Sequence, residues 1–155
     1  MGIFIRQARE TDLSFVHEIE LLSYTEPWSR EVLQSELIPH NHNVTLVAEH
    51  AESGRVVGHC FFWLVLGDEI HLNNIAVHPD WRRQGIARLL LHECIKYGKI
   101  NNIPSIVLEV RENNLIAREF YAQEGFEKVG RRRKYYTSPA EDALILRLKI
   151  RPSSK

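Results

Sequence analysis

Three β-rich runs follow one another in the middle of the chain with almost nothing between them. They are VTLVAEH (Val44–His50), VVGHCFFWLVLG (Val56–Gly67) and EIHLNNIAV (Glu69–Val77), the first two separated by the turn AESGR. Branched and aromatic residues fill each run, and connections this short join antiparallel neighbours, so the centre of the fold is antiparallel sheet. The chain then changes period. Ile86, Leu89, Leu90, Cys94 and Tyr97 fall on one helical stripe, and the apolar run SIVLEVR (Ser105–Arg111) follows it. A strand, a helix and a further strand form the crossover that connects parallel neighbours, which makes the sheet mixed.

The flanks extend this pattern. GIFIRQA alternates as a first strand, and TDLSFVHEIELLS follows it, with Thr11 or Asp12 able to cap a helix whose Leu13, Val16, Ile19, Leu22 and Ser23 share a face. Pro27 breaks the chain, Ser29 caps a short second helix through Val32, Leu33 and Leu37, and IPHNHN is a polar hinge. NNLIAREFYAQEG reads as a last helix, with Asn113 or Asn114 at its start and Gly125 past its end. FEKVGRRRKYY and EDALILRLKI close the chain as two strands. The expected fold class is α/β (α+β), with a mixed, mostly antiparallel sheet of about seven strands and about four helices. Residues 1–150 form a single domain and 151–155 a short polar tail; 155 residues at 44% apolar content suffice for one core.

Several function classes recede at this stage. A formal net charge of +0 gives no electrostatic reason to expect nucleic-acid binding. No apolar run reaches signal-peptide or membrane-span length, and Arg6 stands where a myristoylation site at Gly2 would need serine or threonine. Cys60 and Cys94 have no neighbouring cysteine, so they read as core thiols of a reducing compartment. The eight histidines assemble no zinc signature, and no metal is expected. A soluble cytoplasmic monomer is the expectation.

The stretch NNIAVHPDWRRQGIARLL carries the first chemistry. Arg82, Arg83, Gln84, Gly85, Ile86 and Ala87 stand where a helix begins, and the amides of a first helical turn lack intrahelical acceptors and sit at the positive end of the helix dipole. Glycine and alanine let a pyrophosphate approach the backbone closely. Neither G-x-x-x-x-G-K-[ST] nor G-x-G-x-x-G occurs, so the phosphate compound is not an ordinary ATP or NAD. A simple turn flanked by solvated arginines is the competing reading.

These residues resemble the acetyl-coenzyme A loop of the GNAT superfamily of N-acetyltransferases, whose motif has the form [QR]-x-x-G-x-[GA] after a strand. The similarity continues through SIVLEVRENNLIAREFYAQEGFEKVGRRRKYY and covers nearly the whole chain. It implies acetyl-CoA as cosubstrate, with loop amides around Arg83–Ala87 on the pyrophosphate, Ile75, Ala76 and Val77 along the pantetheine arm, and Asn114 and Arg118 as further contacts. PWS at Pro27–Ser29, NNIAV, LEVRENN, FY followed by GF, RRRKYY and EDAL are most similar to the bacterial RimI-type enzymes, which acetylate the N-terminal alanine of ribosomal protein S18. Ala87 replaces the more usual second glycine of the loop and stays within the motif.

Acetyl transfer to an amine needs a neutral amine, donors for the developing oxyanion and a proton for the departing thiolate. Alternation puts Glu109 on the face of Val107 and Arg111, opposite Ile106, Leu108 and Val110, and a carboxylate there needs a cleft or a partner. The resemblance makes Glu109 the general base and Tyr121 the general acid, in direct attack within a ternary complex; an ion pair with Arg111 and plain packing of Tyr121 are the alternatives. The backbone of Ile75 or Ala76 is the candidate for polarising the thioester. His71 could tune Glu109. Tyr24, Trp28, Asn74 and Tyr135 are the candidates for lining an acceptor groove; the alternative reading has Trp28 cap the core and Asn114 a helix. The Arg131–Lys134 run alternates across a strand, and Glu26 is expected to be solvated. A small-molecule or lysine acetyltransferase, or a silent CoA-binding module, are the rival functions.

Overall fold

The computed structural model describes residues 2–39, 42–65 and 68–150; the polar tail and hinge residues His40 and Asn41 lie outside the described residues. Seven strands form one sheet: β1 (Ile3–Gln7), β2 (Asn43–His50), β3 (Val56–Val65), β4 (Glu69–Val77), β5 (Ser105–Arg111), β6 (Glu127–Thr137) and β7 (Ala140–Lys149), in the order β1-β2-β3-β4-β5-β7-β6. Only β4 and β5 are parallel neighbours, joined through the crossover expected from the sequence. The helices are α1 (Leu13–Ser23), α2 (Arg30–Leu37), α3 (Ile86–Ile100) and α4 (Leu115–Gln123), with 3₁₀ turns at Glu10–Asp12 and Pro79–Trp81.

The sheet separates two cores. One face packs Phe62, Ile70, Leu72, Leu90, Leu91, Ile106, Leu108 and Leu144 together with Tyr121, beneath α3 and α4. The other packs Val16, Ile19, Leu33, Leu37, Val47, Phe61 and Ala76 beneath α1 and α2. The helical stripes differ in detail from the periodic reading. On α1 the third buried position is Glu20, 1% exposed, while Leu22 is 51% exposed. Hydrogen bonds from Asn74 and His59 let a carboxylate occupy the core there. Leu33 and Leu37 are buried on α2 but Val32 faces out, and on α3 Leu91 takes the core place expected of Leu89. The cause on α3 is its close seat on β3: a Cβ at Gly58 would meet Ile86 Cγ2 and the Ala76 carbonyl oxygen at 3.2 Å, so the Ile86–Leu90–Cys94 edge is what faces the sheet.

Helix starts are held by side chains. Asp12 does not cap α1 directly; its carboxylate accepts from the Arg9 amide at 2.7 Å and from Arg6 at 2.9 Å, fixing the 3₁₀ turn that precedes the helix. Ser29 Oγ accepts from the Val32 amide on α2, and Asn114 Oδ1 from the Ala117 amide on α4.

One irregularity in β4 positions everything that follows. Phe61 pairs with Asn74 and Phe62 with Leu72, so Asn73 is an extra residue without an opposite partner. This bulge resets the alternation. Leu72, Ile75 and Val77 all pack toward α3, whereas Asn74 and Ala76 turn to the α1 side.

Candidate active site

β4 and β5 are in register only at Ile70–Ile106 and His71–Val107, although both strands run on for several residues. β5 stays paired with β7 along its whole length. The sheet therefore splits between Asn73–Val77 and Leu108–Arg111, leaving an edge of β4 without strand partners. The His78 amide bonds the Val57 carbonyl on β3, while the Val77 carbonyl accepts from Arg82 and the Ile75 carbonyl from the Tyr24 hydroxyl at 3.0 Å. A strand residue points its N–H and C=O to the same edge, so the amide of Ile75, and not that of Ala76, faces the split.

The loop before α3 enters at the same place. His78 Nδ1 accepts from the Asp80 amide, and Arg83 and Gly85 both have positive φ, 62° and 80°. No atom lies within 4 Å of where a Gly85 Cβ would stand, so the backbone here borders open space. The Leu89 amide bonds the Gly85 carbonyl, and the amides of Ile86, Ala87 and Arg88 precede any i−4 acceptor in the helix. Arg83 and Gln84 are exposed and Ile86 is buried, leaving Ile86 only its backbone to offer. Arg82 is committed to the frame through the Val77 carbonyl and Ser23. Asn114 holds the α4 cap, and Arg118 donates to the Glu112 carbonyl at 2.7 Å.

On the α1 side of the split, Glu109 Oε1 lies 2.6 Å from His71 Nε2, and Arg132 Nε is 3.4 Å from Oε2. The hydrogen bond from His71 holds the Glu109 carboxyl below the usual carboxylate range, with Arg132 adding to the effect. Reciprocally, Glu109 raises the His71 pKa above its ordinary value. His71 Nδ1 contacts Asn73 Oδ1 at 2.9 Å, so the bulge residue also orients the imidazole. Glu109 thus has a partner, though it is His71 instead of the Arg111 considered from the sequence.

Tyr121 belongs to the opposite core, 8% exposed and edge-on to Phe120 and Phe126. Burial raises its pKa, with Cys60 and Cys94 contributing. Burial, and then Glu20, raise the pKa of Tyr24 most. Tyr136 is pushed up to about 12 chiefly by burial. Glu109 and Tyr121 therefore stand on opposite faces of the sheet.

The acceptor-side candidates divide. Tyr24 and Asn74 are at the split; the Asn74 amide donates to Glu20 at 2.8 Å, and its Oδ1 is buried without a hydrogen-bond partner. Trp28 packs its ring 5.2 Å from Phe61 and closes the α1–α2 core. Tyr135 is 49% exposed with the Arg132 guanidinium 5.7 Å from its ring centroid, whereas Arg111 lies 4.2 Å from the ring of Tyr136. The reason is a break in β6: pairing shifts between Arg132 and Tyr136, Lys134 has φ 51°, and its amide donates to Asp142. Strict alternation cannot reveal such a break. Glu26 is tied to Arg111 and to the Ser138 amide, and Arg131 pairs with Glu112 and Asp142. Among the described residues no group of three His, Cys, Asp or Glu side chains could hold a metal, and no helix is long and apolar enough to cross a membrane.

Residues 13–126 match the model of the acetyltransferase (GNAT) family. The chain is 34% identical over 148 residues to the ribosomal protein bS18-alanine N-acetyltransferase of Escherichia coli K12, covering 94% of this chain and 97% of that protein. It is 32% identical over 145 residues to the Haemophilus influenzae enzyme of the same description, covering 92% and 95%. The crystal structure of the Escherichia coli S18-alanine enzyme superposes with a TM-score of 0.87 at 32% identity, over 99% of this chain and 97% of that one. Ard1 from Thermoplasma volcanium shares the fold, with a TM-score of 0.88 at 24% identity over 97% and 99%.

Proposed function

Because the chain belongs to the acetyltransferase (GNAT) family, we propose that it transfers the acetyl group of acetyl-CoA to the N-terminal α-amine of a protein, with the alanine terminus of ribosomal protein S18 as its acceptor. The observation that supports this reading is the β4–β5 split, with the Glu109–His71 pair on its α1 side and the open backbone of Gly85 at the start of α3. The amine approaches from the α1 side and the thioester from the α3 side.

The residues present suit acetyl-CoA. The open space over Gly85 and the free amides of Ile86, Ala87 and Arg88 suit a pyrophosphate, with the exposed Arg83 and Gln84 beside them. The edge of β4 at Ile75 and Val77, which has no strand partner beyond His71, suits an extended arm carrying amide groups, although its two carbonyls already accept from Tyr24 and Arg82. When bound, acetyl-CoA supplies an activated acyl group; every proton is handled by the chain.

Glu109 accepts the amine proton. Its carboxylate is ionised at neutral pH, and because His71 and Arg132 hold its pKa below the ordinary value it is a weak base, suited to an amine that is already close to neutral. The Ile75 amide polarises the acetyl carbonyl. Tyr121 stays protonated because burial raises its pKa, and it donates to the departing thiolate. An α-amine, with an ordinary pKa of about 8, is far more easily neutralised than lysine at about 10.4. Such a reaction on a ribosomal protein belongs in the cytoplasm.

The test is mass spectrometry after incubation with acetyl-CoA of a peptide bearing a free N-terminal alanine and an internal lysine. Acetylation confined to the α-amine is expected; modification of the lysine alone would overturn the reading.

A further inference from the structure

The last turn of α1 grips β4 just beyond its bulge, at two consecutive residues. Asn74 Nδ2 donates to Glu20 Oε2 at 2.8 Å, and the Tyr24 hydroxyl donates to the Ile75 carbonyl at 3.0 Å. Glu20 and Tyr24 stand one helical turn apart, and the Tyr24 amide closes that turn on the Glu20 carbonyl at 3.1 Å, so both grips issue from the same turn. They fall where β4 has already parted from β5, so that strand pairing holds Asn74 and Ile75 only through β3, opposite Phe61 and Cys60. The Ile75 amide belongs to the planar peptide that links the two gripped residues, and the two bonds together fix the plane from which its N–H points into the split.

Glu20 has little freedom of its own. It is buried, and the same Oε2 accepts from Nε2 of the fully buried His59 at 2.7 Å. A carboxylate only accepts, so His59 Nε2 and Asn74 Nδ2 are the donors and the Asn74 amide has one orientation. Asn74 Oδ1 is buried without a hydrogen-bond partner, which makes Glu20 the polar anchor of that side chain. Loss of the anchor would leave both ends of a buried amide unpaired, a cost that the strand can relieve only by moving.

We propose that Glu20 is a positioning residue for acetyl transfer: through Asn74 it fixes the peptide plane that aims the Ile75 amide at the acetyl carbonyl of acetyl-CoA. The inference rests on the role given to the Ile75 amide above, and its test separates the two. A double-mutant cycle over Glu20→Gln and Asn74→Asp is read by kcat per folded molecule on a hexapeptide with N-terminal alanine, by the KM for acetyl-CoA, and by the NMR shift of the Ile75 amide on addition of acetyl-CoA. Asn74→Asp sets two carboxylates against each other and is expected to lower kcat by about 10–100-fold, the range for a misplaced donor, and to abolish the Ile75 response while the KM for acetyl-CoA stays unchanged. In the double variant the introduced amide donates to the introduced carboxylate, and kcat is expected to return to within about threefold of wild type. Asn74→Leu, which removes the donor without adding charge, is expected to show the same losses and serves if Asn74→Asp does not fold. A merely structural role would lower the thermal midpoint but leave kcat per folded molecule and the Ile75 response intact; that result, or a double variant no better than Asn74→Asp, would overturn the proposal. An Ile75 amide that ignores acetyl-CoA in wild type would overturn it together with the carbonyl-polarising role. Failure of wild type to acetylate the peptide with the Ile75 response present would count against the acceptor reading alone, and the Ile75 response in the variants would still decide the role of Glu20.

Discussion

At the scale of single residues, the Glu109–His71 contact has the strongest consequences. Glu109→Gln removes the proposed base while keeping its volume and is expected to slow acetylation of an alanine peptide by about 10²–10⁴-fold, measured by steady-state kinetics. The same substitution removes the carboxylate charge that raises His71, so NMR titration should find the imidazole above 6.5 in wild type and lower in the variant. The pair also links stability to pH. Because the folded His71 pKa is raised, its contribution is full below the unfolded value of about 6.5 and is lost as pH rises through the folded value. Because the folded Glu109 pKa is lowered, its contribution is present above the ordinary carboxylate value and is lost as pH falls through the folded one. The thermal stability gap between wild type and Glu109→Gln is thus expected to be widest between these limits and to shrink on the alkaline side. A gap independent of pH would contradict the hydrogen bond. Glu109 could be singled out from the sequence because a carboxylate interrupts an apolar alternation. His71 could only be noted as a neighbour, since which of two strands parts from the other, and where, is not encoded within either strand.

At the scale of elements, local rules succeeded where the determinants are local. Ser29 and Asn114 cap the helices their positions suggest, because a capping bond joins residues three apart. Asn114→Ala is expected to lose about 1 kcal/mol of stability, read by denaturant unfolding, since the α4 amide of Ala117 loses its acceptor. Periodicity located each helix but mistook part of its buried face, as Leu22, Val32 and Leu89 illustrate; the burying partner lies on a distant strand. Element irregularities matter most for the chemistry. The extra residue Asn73 turns Asn74 toward Glu20, and beyond the break near Lys134 the Tyr136 ring lies 4.2 Å from the Arg111 guanidinium. Neither bulge leaves a mark on alternation strong enough to be read beforehand.

At the scale of the whole molecule, the site depends on two cores holding the sheet from both sides. Phe61, fully buried, supports Trp28 and lies beside the His59–Glu20 pair under Asn74. Phe61→Ala is expected to cost about 3–5 kcal/mol in unfolding free energy. The element order, the mixed sheet, the GNAT resemblance and the anion-suited loop at Arg83–Ala87 were all determined by the sequence alone, because strand runs, short turns and helix starts are set by neighbours along the chain. The tertiary structure alone decided where β4 and β5 part, which faces Glu109 and Tyr121 approach from, and that Glu26 and Arg111 join across the opening. Those relations connect residues up to 112 positions apart and arise only when both cores pack.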